Sequence, residues 1–180
     1  DAAAAEKVKQ QAAKAGIKIC CLATSCRFAD PKTLASAIDD AYKAIDLAAA
    51  IGAPIIRVFG GVIGEGLSRA DAAKQITDSL NKLKEHAAEK NITICVETHD
   101  DWCNPADLVP IIRAVNHPFV KINWDIMHPV YTAGLTMDAA FEQVKPWIAH
   151  VHIHDGLKRD GERVMTAIGE GIIDHRRALE

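Results

Sequence analysis

The sequence predicts an α/β protein, part of a (β/α)8 barrel with about five parallel strands in chain order. Three observations support this. Apolar β-like runs alternate with helix-like stretches along all 180 residues, a rhythm that implies a parallel sheet with right-handed crossovers. The last three runs each have one apolar and one polar face. A doubly wound sheet buries both faces under helices and wants both apolar, whereas a polar face shared by neighbouring strands suits a barrel lumen beneath a site. Finally, those runs lead into Val96-Glu97-Thr98-His99, Asn123-Trp124-Asp125-Ile126-Met127-His128 and His150-Val151-His152-Ile153-His154-Asp155. Each delivers a carboxylate or imidazole at a strand's C-terminal end, where α/β proteins assemble their sites.

The elements follow in order. Residues 2–15 read as a helix stopped by Gly16, and 17–23 as the first strand. Asp30-Pro31 reads as an N-cap with proline at the first helical position, opening a helix to about Ile51 with Gly52 as its stop. The second strand is 55–60. Ser68 with Asp71 resembles a capping box for a helix reaching about Lys90. A third strand at 92–97 is followed by a helix capped at Asn104-Pro105 that runs to about Val115. The fourth strand is 120–125, Thr136 opens a helix to about Trp147, and the fifth strand is 148–153. A last helix starts near Asp174. In the third strand Ile92, Ile94 and Val96 oppose Thr93, Cys95 and Glu97. In the fourth, Val120, Ile122 and Trp124 oppose Lys121, Asn123 and Asp125. In the fifth, Val151 and Ile153 oppose His150 and His152.

An eight-stranded barrel takes about 250 residues, and five strands cannot close it. The expectation is therefore a single domain, 1–180, truncated at both ends, with open edges on its first and last strands. The chain also opens on Asp1 rather than Met. Composition is ordinary for a globular protein, 49% hydrophobic and 25% charged. A net charge of −3 offers no basic face to nucleic acid or acidic lipid. No apolar stretch approaches the roughly 18 residues of a membrane span. Five cysteines, an odd number without metal-type spacing, read as reduced thiols in a cytoplasmic protein. A bridge between Cys95 and Cys103 is not expected.

Carboxylates and imidazoles converging from neighbouring strand ends suit a divalent metal. Singly, Glu97 and Asp125 could cap the next helix or form salt bridges, and His152 could be a core histidine. In phase at one end of the sheet, the three read as a ligand set. His150 and His154 share the face of His152, so the ligand position could slip by two. An internal charge such as Arg57 needs a partner, either structural or a bound substrate. Lys158, Arg159 and Arg163 could hold a substrate oxyanion, although a solvated loop fits them too. Gly60-Gly61 with Gly64 and Gly66 reads as an active-site loop without nucleotide.

At the three motifs, and at Gly169-Glu170-Gly171-Ile172-Ile173-Asp174, the chain resembles the xylose isomerase-like TIM-barrel superfamily, and within it the sugar phosphate isomerase/epimerase group. The resemblance covers nearly the whole chain. It implies that strands three to seven of eight are present and that Glu97, Asp125 and His152 hold a metal, with a fourth ligand, a second Glu, on the last strand. It places the histidine ligand three residues before Asp155. It makes Glu97 the acid/base and His128 a catalytic contact, with His99 orienting substrate hydroxyls; Arg57 and Arg159 are substrate-binding candidates on the reading of the residues given above. It also implies Mn²⁺, Mg²⁺ or Co²⁺, with Zn²⁺ admissible, and a small sugar or polyol substrate handled through an enediolate. A homo-oligomer is compatible with it. A dehydratase on a cyclic polyol is the nearest alternative, and a non-catalytic sugar-binding or regulatory module is one of a different class. The apurinic endonuclease group is disfavoured. Those enzymes carry Asp-x-His where this chain has Arg163-Val164-Met165, and a histidine where it has Gly60-Gly61.

Overall fold

The computed structural model describes residues 2–180; Asp1 lies outside them. Five parallel strands form one sheet in the order β1-β2-β3-β4-β5: Leu22–Arg27, Ile55–Phe59, Thr93–Glu97, Val120–Asp125 and Ile148–His152. Helices connect them: α1 (Ala2–Lys14) before the sheet, then α2 (Leu34–Ile51), α3 (Arg69–Glu89), α4 (Pro105–Val115), the short α5 (Met127–Tyr131) with α6 (Met137–Val144), and α7 (His175–Leu179). They form one layer: α2 packs on β1 and β2, α3 on β3 and α4 on β4, while α1, α2, α3, α4, α6 and α7 touch in series. This is the helical shell of a partial barrel, with five of eight strands in sequence order.

Local chemistry explains the helix limits. The Ser68, Asn104 and Thr136 side chains each accept a backbone N–H of the first turn, from Asp71, Ala106 and Ala139. Gly52 takes φ 80° and closes α2 by donating to the Ala48 and Ala49 carbonyls. The buried positions of α2 (Ala37, Ala41, Ala44, Ile45, Ala48, Ile51) fall at helical spacing, and their small side chains bring it close to the sheet.

The sheet sorts side chains by face. Ile56, Val58, Ile94, Val96, Ile122 and Trp124 are all buried and lie in the shared hydrophobic core. Arg57, Cys95, Glu97, Asn123, Asp125 and His152 occupy the alternate positions. The sheet curls, because Ile19, Cys20 and Ile55 share the lining of a cavity of about 630 Å³ with Ala149 and His150 from the opposite edge. Among the described residues β1 pairs only with β2, and β5 only with β4.

Three expectations need correction. The first strand is Leu22–Arg27, not 17–23, so Cys20 and Cys21 precede it. Its partner β2 starts at Ile55, and the ladder begins at Leu22 opposite Ile56. Among the described residues the run from Ile17 to Cys21 has no strand partner, the Ile17 N–H turning back to the Ala12 carbonyl at 2.9 Å, and Ile17 is 63% exposed. The helix expected from Asp30-Pro31 starts at Leu34 behind Thr33, while Asp30 accepts from the Lys32 N–H in a turn. The segment after β5 is an antiparallel hairpin, β6 (Gly156–Arg159) with β7 (Glu162–Met165), rather than a loop. Asp160 and Gly161 turn it with φ 52° and 86°, the paired positive values a two-residue hairpin turn requires. All five cysteines are free thiols. Burial pushes the Cys95 thiol up to about 12, which makes it unreactive.

Gly60 follows β2 and lies against Trp102, which is fully buried; a Cβ there would fall on the indole. Gly60→Ala should lower stability by about 1–3 kcal/mol through overpacking, read as a reduced urea midpoint with unchanged slope.

Candidate active site

Apart from Ser79 on α3, the buried polar residues gather at the C-terminal ends of β3, β4 and β5: Glu97, Thr98, Asn123, Asp125, His128 and Asp155. Register explains how they meet. Glu97 pairs with Asn123, and Asp125 pairs with His152 two residues further along. The longer Glu97 side chain covers that step of about 6.6 Å. Its Oε1 lies 2.9 Å from His152 Nδ1, and its Oε2 lies 3.2 Å from Arg57 Nε. Thr98 ties the two strand ends together: its hydroxyl accepts the Asp125 N–H at 2.9 Å and donates to the Asp125 carbonyl at 3.1 Å.

Asp125 divides its carboxylate between two tasks. Oδ1 accepts the Met127 N–H at 2.9 Å, capping α5. Oδ2 makes no hydrogen bond with a described residue and faces two imidazoles, with His154 Nδ1 at 3.0 Å and His128 Nε2 at 3.9 Å. Burial raises the Asp125 carboxyl above its ordinary range, against the pull of His154 and the Met127 N–H. Burial also pushes the Glu97 carboxyl up, but the His152 hydrogen bond, with the charges of His152 and Arg57, outweighs it and holds it below that range. Burial lowers His128 to about 4, helped by His99 and Arg163, so its imidazole is neutral near pH 7.

Ligand atoms of Glu97, Asp125 and His152 lie within 4.8 Å of one another, as do those of Asp125, His128 and His154. The expected set is therefore assembled, with His154 beside it on Asp125. His128 is 4% exposed, inside a short helix rather than on a surface loop. His99 sits over it with ring centroids 4.0 Å apart, and its Nδ1 is 2.9 Å from Asp100 Oδ1. Arg57 is committed to Glu97 and lies over the Phe59 ring at 4.0 Å. Arg159 stands apart at the exposed hairpin end, where its side chain makes no hydrogen bond or ion pair with a described residue.

Asp155 does more than mark a motif. Its Oδ1 accepts from Gly156 N (2.9 Å) and Ile173 N (3.2 Å), and its Oδ2 from Gly169 N (2.8 Å) and Gly171 N (2.9 Å). It thus ties the Gly169-Glu170-Gly171 turn to the end of β5. A Cβ on Gly171 would meet this carboxylate, so the glycine is a requirement of close approach. Sequence reading missed this cradle and the hairpin beside it. The Asp160-Gly161 dipeptide was the available signal for the hairpin, whereas no local pattern announces a carboxylate that gathers N–H groups from 18 residues away.

Fold and site together define a barrel protein with an ionisable cluster at its C-terminal mouth. The chain belongs to the xylose isomerase-like TIM barrel family, which it matches over residues 1–180. A xylose isomerase domain protein from Planctomyces limnophilus superposes with a TM-score of 0.86, at 20% identity, over 99% of this chain and 71% of that one. The 3-keto-D-glucoside 4-epimerase YcjR of E. coli gives 0.81 at 18% identity, over 99% and 72%. The 3-dehydroshikimate dehydratase of Bacillus anthracis is 29% identical over 101 residues, which are 54% of this chain and 35% of that enzyme, so the match spans about a third of it. No described helix is long and apolar enough to cross a membrane.

The four N–H donors outweigh the cost of burying Asp155 and depress its pKa. A depressed carboxyl stabilises the fold fully above the ordinary range near pH 3.9 and loses this effect as pH falls through its folded value. Asp155→Asn should cost about 2–3 kcal/mol at pH 7 by loss of charged hydrogen bonds. In urea unfolding at stepped pH, the gap between variant and native chain should hold from pH 8 to 6 and narrow below pH 4.

Proposed function

We propose that this chain carries the catalytic centre of a divalent metal-dependent isomerase or epimerase acting on a small polyhydroxylated carbonyl compound. The observation that carries this reading is the convergence of Glu97, Asp125 and His152 at the barrel mouth, with ligand atoms within 4.8 Å of one another. The donor set fits a cation. Among the described residues Glu97 Oε2 and Asp125 Oδ2 are buried without hydrogen bonds, and two carboxylates with one imidazole suit Mn²⁺, Mg²⁺, Co²⁺ or Zn²⁺. Glu97, Asp125 and His152 would hold the ion, which would polarise a carbonyl and its neighbouring hydroxyl and so acidify the C–H between them.

The chain's own groups supply the rest. Glu97, kept ionised by His152 and Arg57, takes the proton from that carbon and returns it on the same face to the neighbouring carbon of the enediolate; for epimerisation a second acid on the opposite face delivers the proton, the place the family resemblance gives to the second glutamate on the last strand. His128, neutral and buried, and His99 tilted against it orient substrate hydroxyls. The name of the 3-keto-D-glucoside 4-epimerase, which shares the fold, matches this chemistry.

A dehydratase is the second reading, favoured by the 29% identical relative. It uses the same first step, after which the hydroxyl on the next carbon leaves as water and a conjugated carbonyl remains.

Two measurements test the proposal. Calorimetric titration with Mn²⁺ should show one site, weakened at least tenfold by Asp125→Ala or His152→Ala; unchanged binding in both variants would remove the metal reading. In D₂O with Mn²⁺ and a ketose, solvent deuterium should enter carbon next to the carbonyl, as seen by NMR. Glu97→Gln should slow this about 10²- to 10⁴-fold, and EDTA should stop it. A growing enone absorbance in place of an isotopically labelled isomer would select the dehydratase.

A further inference from the structure

The histidines around Asp125 pose a question of their own. Asp125, His128 and His154 meet the geometric requirement for a second metal group as well as the first set does. One residue outside the cluster separates the two. Arg163 lies on β7, opposite Lys158 of β6, and its Nη1 donates to His128 Nδ1 at 3.4 Å. A guanidinium has donors and no acceptor. The lone pair on His128 Nδ1 is therefore the accepting one, and a neutral imidazole so bonded carries its proton on Nε2. That nitrogen faces Asp125 Oδ2 at 3.9 Å. Protonated there, it has no lone pair for a cation and offers an N–H to an oxygen instead.

The placement of Arg163 is built into the fold. The Asp160-Gly161 turn sets the register of the hairpin. Thr166 N donates to the Asp155 carbonyl at 3.1 Å, anchoring the returning strand. A Cβ on Gly156 would crowd the Val164 carbonyl, so β6 and β7 lie close together beside α5. On its other side the His128 ring is packed by His99, which leaves it little freedom to turn and present Nδ1 instead.

We propose that Arg163 is a positioning residue that holds His128 in its Nε2–H tautomer, making it a hydrogen-bond donor to a substrate oxygen and keeping it out of any metal's ligand set. The substrate half of this statement rests on the function proposed above; the tautomer half does not.

The test is a long-range ¹H–¹⁵N correlation spectrum of the ¹⁵N-histidine-labelled chain at pH 7.5, with His128 assigned by its loss in His128→Gln. The native chain should show a pyridine-like Nδ1 and a pyrrole-like Nε2. Arg163→Leu should move both resonances toward the averaged positions of mixed tautomers, and Arg163→Lys, which keeps a donor, should restore the native pattern. One equivalent of Zn²⁺ should shift His152 and leave the His128 pattern in place. A pyrrole-like Nδ1 in the native chain, an Arg163→Leu spectrum identical to it, or a Zn²⁺-induced shift of His128 Nε2 to a metal-bound position would overturn the proposal. If His128 behaves as stated but His152 ignores Zn²⁺, the assignment of Arg163 stands and the metal reading fails.

Discussion

Two carboxylates buried side by side dominate the mouth of this sheet. Glu97 and Asp125 are 2% and 0% exposed on adjacent strands. An ion in such a place costs several kcal/mol unless partners replace its water, and the surrounding structure supplies them: Arg57 and His152 on Glu97, Met127 N–H and His154 on Asp125. The compensation is uneven. Glu97 is held ionised, while burial still lifts Asp125. Neighbouring titratable groups driven in opposite directions are a common arrangement where one acts as a base and the other as a charge sink.

The outer wall depends on a third carboxylate with a different task. Asp155 bonds backbone, with His175 Nδ1 the one ionisable group among the described residues that pairs with it, 3.8 Å from its Oδ2. Four N–H groups converge on it, so it fastens the glycine turn to the end of β5 and, through its carbonyl, the hairpin as well. The position of Arg163, and with it the hydrogen-bonding of His128, follows from this anchor. A structural carboxylate and a chemical one thus sit 30 residues apart in sequence and act on the same imidazole from opposite sides.

Much of this was legible beforehand because it repeats local rules. Alternation separated the core face of β3 and β4 from the face bearing Glu97 and Asp125, and Ser68, Asn104 and Thr136 marked helix starts that their side chains do cap. The first strand was misplaced by five residues because β-propensity marks a segment that could pair, whereas the start of β2 determines where pairing begins. Neither helix cap nor metal ligand describes Asp125 alone: one oxygen accepts the first N–H of α5 and the other faces the imidazoles.

From the order of residues alone come the alternation of strands and helices, the single polar face, and the placing of Glu97, Asp125 and one of His150, His152 and His154 at one end of the sheet, because side-chain period and capping chemistry act over a few residues; the choice of His152 came from the family resemblance. The tertiary structure decided what depends on distance. It determined that Glu97 reaches two residues along the register to His152, that Arg57 is spent on Glu97, that His154 joins Asp125 while Arg159 stays outside, and that a hairpin brings Arg163 to His128. Each is a meeting of groups from different strands, set by register, sheet curl and the burial of charge, and none of these is written in the spacing of neighbouring residues.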